Sequence, residues 1–158
     1  MSPEYLAIKW VHIVSSTILF GFGAGSAWYF WAAHLTRDAR TIAKVARIVA
    51  RTDIWFTGVS GLAQPATGFA LASMNGFDLG ASWLVATYAL YVLAFACWVP
   101  VVWLQFRVAR LAQVAAEGDG VLSEDYRKTV RLWFILGWPA FLALLAIFWL
   151  MIAKPKLW

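Results

Sequence analysis

The chain holds two histidines, His12 and His34, and three methionines. Neutral imidazole and thioether are the axial ligands of many haem irons. His12 follows Lys9 and Trp10 by less than one helical turn. Met74 and Met151 are read at a similar depth, where either thioether is a second candidate ligand. The first chemistry considered is therefore a b-type haem on His12, with His12 also the candidate metal ligand. The competing roles for His12 are an interfacial imidazole bonded to a carbonyl, or proton handling. His34 stands 22 residues later, a spacing that returns a helix to within about 40° of the same face. It also separates the two rings by ~33 Å along the axis, so one chain cannot bridge them with one ligand. His34 is read either as an interfacial side chain or as a contact for a second haem, a lipid or a quinone headgroup.

Gln64, Tyr91, Trp98 and Trp138 are the candidate pocket lining. An amide in an apolar helix is costly unless bonded, and Tyr91 or Trp98 could supply the partner. Pro65, Pro100 and Pro139 stand beside these residues, and each removes a backbone donor from its helix. Asp53 is read as an ion pair with Arg47 and Arg51, with a proton or substrate-acid site as the alternative. Cys97 is flanked by apolar residues and reads as an inert thiol. A phosphate loop, a hydrolytic triad and a structural zinc site have no counterpart among these residues.

The elements that must carry these side chains follow from composition. Of 158 residues, 63% are hydrophobic and 13% charged, with mean hydropathy +0.71. Soluble domains carry about 25% charged residues. Four apolar segments, at about 5–33, 54–74, 83–106 and 132–153, are each long enough to cross the ~30 Å hydrocarbon layer as a helix. Backbone groups without water must bond internally, so each is predicted helical, and no lipid/lumen alternation points to a barrel. The first segment lacks the basic start and cleavage site of a signal peptide and is expected to stay in the mature protein.

Ten basic residues fall in the links between spans one and two and between spans three and four, against Lys9, Lys154 and Lys156 on the other side. This asymmetry predicts both termini outside and both basic links in the cytoplasm. The net charge of +5 and pI near 9.7 thus report topology and anionic lipid rather than nucleic acid. Between Arg37 and Arg51 an amphipathic pattern predicts a cytoplasmic extension of the second helix. The loop around Gly76 predicts a tight antiparallel hairpin of spans two and three. Ser123 followed by Glu124 and Asp125 predicts an N-cap.

Polar and small residues mark protein-facing stripes. On the first helix these are His12, Ser16, Leu19, Gly23, Ala27, Phe30 and His34. On the second they are Asp53, Thr57, Ser60, Gln64 and Thr67; on the third, Thr87, Tyr91, Ala94, Trp98 and Gln105. The fourth offers Trp138, Leu142 and Trp149. Together they predict an all-α fold, an integral membrane antiparallel four-helix bundle forming a single domain over residues 1–158. Nine of the 11 tryptophans read as interfacial anchors: Trp10, Trp83, Trp149 and Trp158 outside, and Trp28, Trp31, Trp55, Trp103 and Trp133 inside.

The blocks Leu6-Ala-Ile-Lys-Trp-Val-His-Ile13, Phe20-Gly-Phe-Gly-Ala-Gly25, Gln64-Pro-Ala-Thr-Gly68, Cys97-Trp-Val-Pro-Val-Val-Trp-Leu-Gln105 and Phe148-Trp-Leu-Met-Ile-Ala-Lys-Pro155 span nearly the whole chain. In them the chain resembles a bacterial family of four-span predicted integral membrane proteins of unknown function. The Lys-x-x-His start and a glycine-containing span ending in histidine are similar to HemJ-type protoporphyrinogen oxidases, and more loosely to copper-resistance membrane domains. That resemblance implies a haem on the first-span histidine, which maps onto His12. The basic residue that HemJ-like proteins carry in a later span is missing here, as is the arginine before the second histidine, so the resemblance carries the cofactor rather than the reaction. The expectation is an inner-membrane redox protein binding b-type haem near the periplasmic face, with quinone as an electron partner and a homo-oligomer or larger complex as its setting. The alternatives are a non-catalytic accessory or assembly subunit and a small-solute or metal permease.

Overall fold

A computed structural model describes residues 2–158, all helix and connecting turn, with no strand among them. Helix α1 spans Pro3–Leu35, α2 Ala39–Asp53, α3 Val59–Met74, α4 Ser82–Glu117 and α5 Glu124–Ala153. A π-helical turn, Ile54–Gly58, joins α2 to α3 without a break, so the amphipathic segment does extend the second apolar helix. Helix α1, α4 and α5 are each long and apolar enough to cross a membrane. The segment expected as the second span is the π-turn plus α3, itself 16 residues.

The starts of the helices are set by side chains that satisfy orphan amides. Ser2 accepts from the Tyr5 amide, with Pro3 in the first turn. Asp38 accepts from the Arg40 and Thr41 amides, and Ser123 accepts from the Tyr126 amide, as its position predicts.

Small residues decide how closely the helices approach. Ala43, Ala46 and Ala50 of α2 and Ala109 and Ala112 of α4 are all buried, and α2 packs chiefly on α4. Arg40, Lys44, Arg47 and Arg51 lie on the opposite, exposed side of α2. Phe30, Ile42, Val108, Tyr126 and Trp133 complete the main core at the end that carries the two basic links. A smaller cluster of Ala72, Trp83, Leu84 and Leu150 closes the terminal end. Exposed apolar side chains run outward along α1 (Leu6, Trp10, Ile13), α4 (Val92, Phe95, Val99) and α5 (Ile135, Leu142, Ile152). Continuous apolar exposure of this kind calls for lipid or another apolar partner.

Three expectations about packing change. The hairpin of α3 and α4 is not tight: α3 packs chiefly on α1, while α4 packs on α5 and α2. Side chains bridge α3 and α4 instead, as in the Phe69–Tyr88 stack with centroids 5.2 Å apart. On α1 the expected Leu19 and Phe30 are buried and Ala27 packs against the main core, but Ser15 takes the inward place expected of Ser16. Trp83 and Trp133 are buried rather than boundary anchors, whereas Trp10, Trp28, Trp55, Trp103, Trp149 and Trp158 are exposed.

Candidate functional site

His12 sits where α1 crosses α3. Its Nδ1 lies 2.7 Å from Thr67 Oγ1. The Thr67 hydroxyl donates its single proton to the Ala63 carbonyl at 2.6 Å, one helical turn back. A hydroxyl whose proton is committed can only accept, so Nδ1 carries hydrogen and donates to Thr67. The consequence is an Nε2 with a bare lone pair, the form of imidazole that binds metals or accepts protons. Gly68 gives the ring its room: a Cβ there would stand 3.3 Å from His12 Cε1.

Gln64 secures the same crossing. Its Nε2 donates to the His12 carbonyl at 2.8 Å and to Ser15 Oγ at 2.5 Å. These partners replace the expected Tyr91 and Trp98. Polar bonds between helices in lipid average about 0.6 kcal/mol and reach about 1.7 kcal/mol. The Gln64 and Thr67 links therefore fix α1 against α3 more by geometry than by strength.

Tyr91 has a different task. Pro65 has no N–H to give the carbonyl four residues back, which is that of Gly61. The Tyr91 hydroxyl donates to that carbonyl from α4. The donor lost to proline is thus replaced across the helix interface.

Trp98 and Asp53 form a third group at the π-turn. Asp53 is 3% exposed. Thr57 Oγ1 donates to its Oδ1 at 2.5 Å and Trp98 Nε1 to its Oδ2 at 3.0 Å. The expected ion pair is not formed: Arg51 is exposed, and Arg47 donates to Gln113 Oε1 at 2.5 Å. Gly58 admits the Trp98 ring, which would lie 3.4 Å from a Cβ at that position. Gln64, Tyr91 and Trp98 therefore serve three separate contacts and do not line one wall.

His34 closes the far end of α1. Its Nδ1 lies 2.8 Å from the hydroxyl of Tyr126, a fully buried residue on α5. The hydroxyl and the ring nitrogen share one hydrogen bond, and which of them donates follows from the His34 tautomer. Sequence reasoning passed over Tyr126, because an aromatic among charges one turn into a helix reads as an interfacial residue.

The remaining candidates lie apart from these groups. Met74 ends α3 and is 46% exposed. Seven residues, about 10 Å of helix, separate it from Thr67, so it is not level with His12. Met151 packs against the cluster of Ala72, Trp83, Leu84 and Leu150. Trp138 is 60% exposed and forms a T-shaped pair with Phe141 on its own helix instead of lining an interior pocket. Cys97 is buried, as expected.

No curated protein and no solved structure matches the chain. A family model does match, over residues 6–155, under the description predicted integral membrane protein (DUF2269). Apolar side chains facing outward along the long helices accord with that description, and the chain belongs to this family of predicted integral membrane proteins.

Proposed function

We propose that the protein is a four-span antiparallel bundle of the bacterial inner membrane, with both termini periplasmic, in which His12 offers a nitrogen ligand to a b-type haem near the outer face. The observation that carries this reading is the committed Thr67 proton, which turns the lone pair of His12 to Nε2. The residues fit the group as a single donor. Met74 stands too far along α3 to share an iron with His12, and Met151 is engaged in the terminal cluster. One protein ligand is sufficient for a haem, as in proximal-histidine sites. When bound, haem would supply one-electron exchange, for which a membrane quinone is a suitable partner. The chain's own residues orient the donor: Thr67 fixes the ring, Gly68 gives it space, and Gln64 pins the backbone beneath it.

The test is a reduced-minus-oxidised absorbance spectrum of protein purified in mild detergent from haem-replete cells. A Soret band is expected. It should vanish in His12→Ala and persist in His34→Ala. A colourless preparation would refute the haem reading.

One observation favours a second reading, a non-catalytic accessory subunit of a membrane complex. The polar groups around His12 end on one another and on helix carbonyls, as helix-locking contacts do. Co-purification of a stable partner with a colourless chain would support it. Homo-oligomerisation is compatible with both readings.

A further inference from the structure

Helix α2 carries Arg40, Lys44 and Arg47 on one exposed face, at the spacing of three and four that sets helical side chains in a row. Together with Ile48 of α2, and Gln113 and Ala116 of α4, they border an open groove of about 490 Å³ between the two helices. That volume falls within the range of small-molecule sites. Gln113 holds the Arg47 guanidinium at the groove, accepting from its Nη2 at 2.5 Å. The carboxyls of these two helices and of the α2 cap are engaged elsewhere. Glu117 accepts from Gln113 Nε2, Asp38 from the Arg40 and Thr41 amides, and Asp53 from Thr57 and Trp98. Among the described residues, ion pairs join Arg107 to Asp125, and Arg127 and Lys128 to Glu124; none takes in Arg40, Lys44 or Arg47. Three positive charges without a carboxylate partner thus border one concave surface.

Basic side chains beside a membrane ordinarily meet lipid phosphate. Helix length argues for a different partner here. Helix α4 is uncharged from Ser82 to Phe106, and α5 is uncharged from Leu132 to its end at Ala153. Gln113 lies about 9 Å of helix beyond Arg107, the first charge on α4. About 46 Å of helix separates Gln113 from Ser82, more than the roughly 40–45 Å of a bilayer with its headgroups. The groove therefore stands on the part of α2 and α4 that projects past the membrane. We propose that it binds a soluble anion carrying two or more phosphate groups. Arg40 and Arg47 offer forked donors suited to phosphate oxygens, and Lys44 adds a point charge between them. The three positions span about 10 Å of helix, a row that calls for charge extended over more than one phosphate. Ile48 and Ala116 leave an uncharged wall for a carbon portion of the ligand. The proposal rests on α4 crossing the membrane and is independent of haem at His12.

The test titrates the full chain, in nanodiscs of phosphatidylcholine at about 0.15 M salt, with inorganic tripolyphosphate in a calorimeter. Saturable binding of one anion per chain is expected, with inorganic phosphate weaker by about tenfold or more. Replacing Lys44→Gln and Arg47→Gln together, both at exposed positions, should weaken tripolyphosphate by about tenfold or more. Replacing Arg127→Gln and Lys128→Gln together removes the same charge from α5 and should leave the affinity within about twofold. No saturable binding overturns the proposal, as does an equal loss in both double variants, which would report only a diffuse field. Phosphate binding as tightly as tripolyphosphate overturns the extended site. Native mass spectrometry supplies the lipid arm: phosphatidylglycerol retained by the native chain but lost from the Lys44→Gln, Arg47→Gln variant would assign the groove to lipid and overturn the proposal.

Discussion

Tyr91→Phe removes one oxygen and leaves the ring in place, so its cost isolates one hydrogen bond. In the native chain Pro65 gives the Gly61 carbonyl no N–H, and the Tyr91 hydroxyl takes that role. Without the hydroxyl, the carbonyl keeps neither donor, and no water reaches it in an apolar setting. An orphaned backbone acceptor costs about 1–3 kcal/mol. In Pro65→Ala the residue 65 amide can bond to the Gly61 carbonyl, and Tyr91→Phe should then cost only the ordinary interhelical bond, about 0.6 kcal/mol. A double-mutant cycle over Tyr91→Phe and Pro65→Ala should thus show a coupling of about 0.5–2 kcal/mol, the loss being greater with proline present. Reversible unfolding in bicelles, followed by far-UV circular dichroism or steric trapping, measures it. Equal losses in both backgrounds would refute the proline-compensation argument, even if Tyr91→Phe proved destabilising alone.

Asp53→Ala should destabilise the fold by about 1–3 kcal/mol, because it strands the Trp98 indole N–H and the Thr57 hydroxyl. Asn at the same position should cost less, and equal unfolding free energies for the two variants would contradict this account. Tyr126→Phe should move the His34 hydrogen towards an equal mixture of tautomers, read from the two ring 15N shifts; an unchanged pattern would mean that Tyr126 does not set it. At the α2 start, the Thr41 side chain and amide hold the Asp38 carboxyl below its usual range. Its folded value is depressed, so the cap is intact at neutral pH and is lost as pH falls below the ordinary carboxylate range. The Thr41 amide proton shift should follow that titration, and Asp38→Asn should flatten it.

Three of the four expected spans were legible, because a long run with almost no charge has a single structural meaning; the expected second span is split between the π-turn and the 16-residue α3. The Ser123 cap was legible for a similar reason, since a hydroxyl ahead of two acids has a mechanism behind it. On α1 the inward places of Leu19 and Phe30 were legible too, but not the choice between the adjacent Ser15 and Ser16, which the position of Gln64 on α3 makes. Gln64 was correctly singled out as an amide that must be bonded, but its partners depend on α3 lying against α1. Loop length alone instead suggested a tight hairpin with α4. Asp53 illustrates the same limit. Nearby arginines imply an ion pair only when their side chains can turn to meet the carboxylate, and α2 directs them outward.

The π-turn at Ile54–Gly58 has a bearing on what the sequence can lose. A π-bulge absorbs one residue more than the regular helix around it. Before the turn, the helix presents Ala46, Val49 and Asp53 to α4; after it, the helix presents Gln64 and Thr67 to α1. Deleting a single residue within 54–58 would remove the bulge and leave an ordinary helix in which Gln64 and Thr67 still meet α1. The same deletion in the regular turns of α2 or α3 has no surplus residue to absorb it, and would swing one face by about 100° although no contact residue had changed identity. The turn is therefore the one place where this helix can lose a residue cheaply, and relatives should differ in length there before they differ in length elsewhere along it.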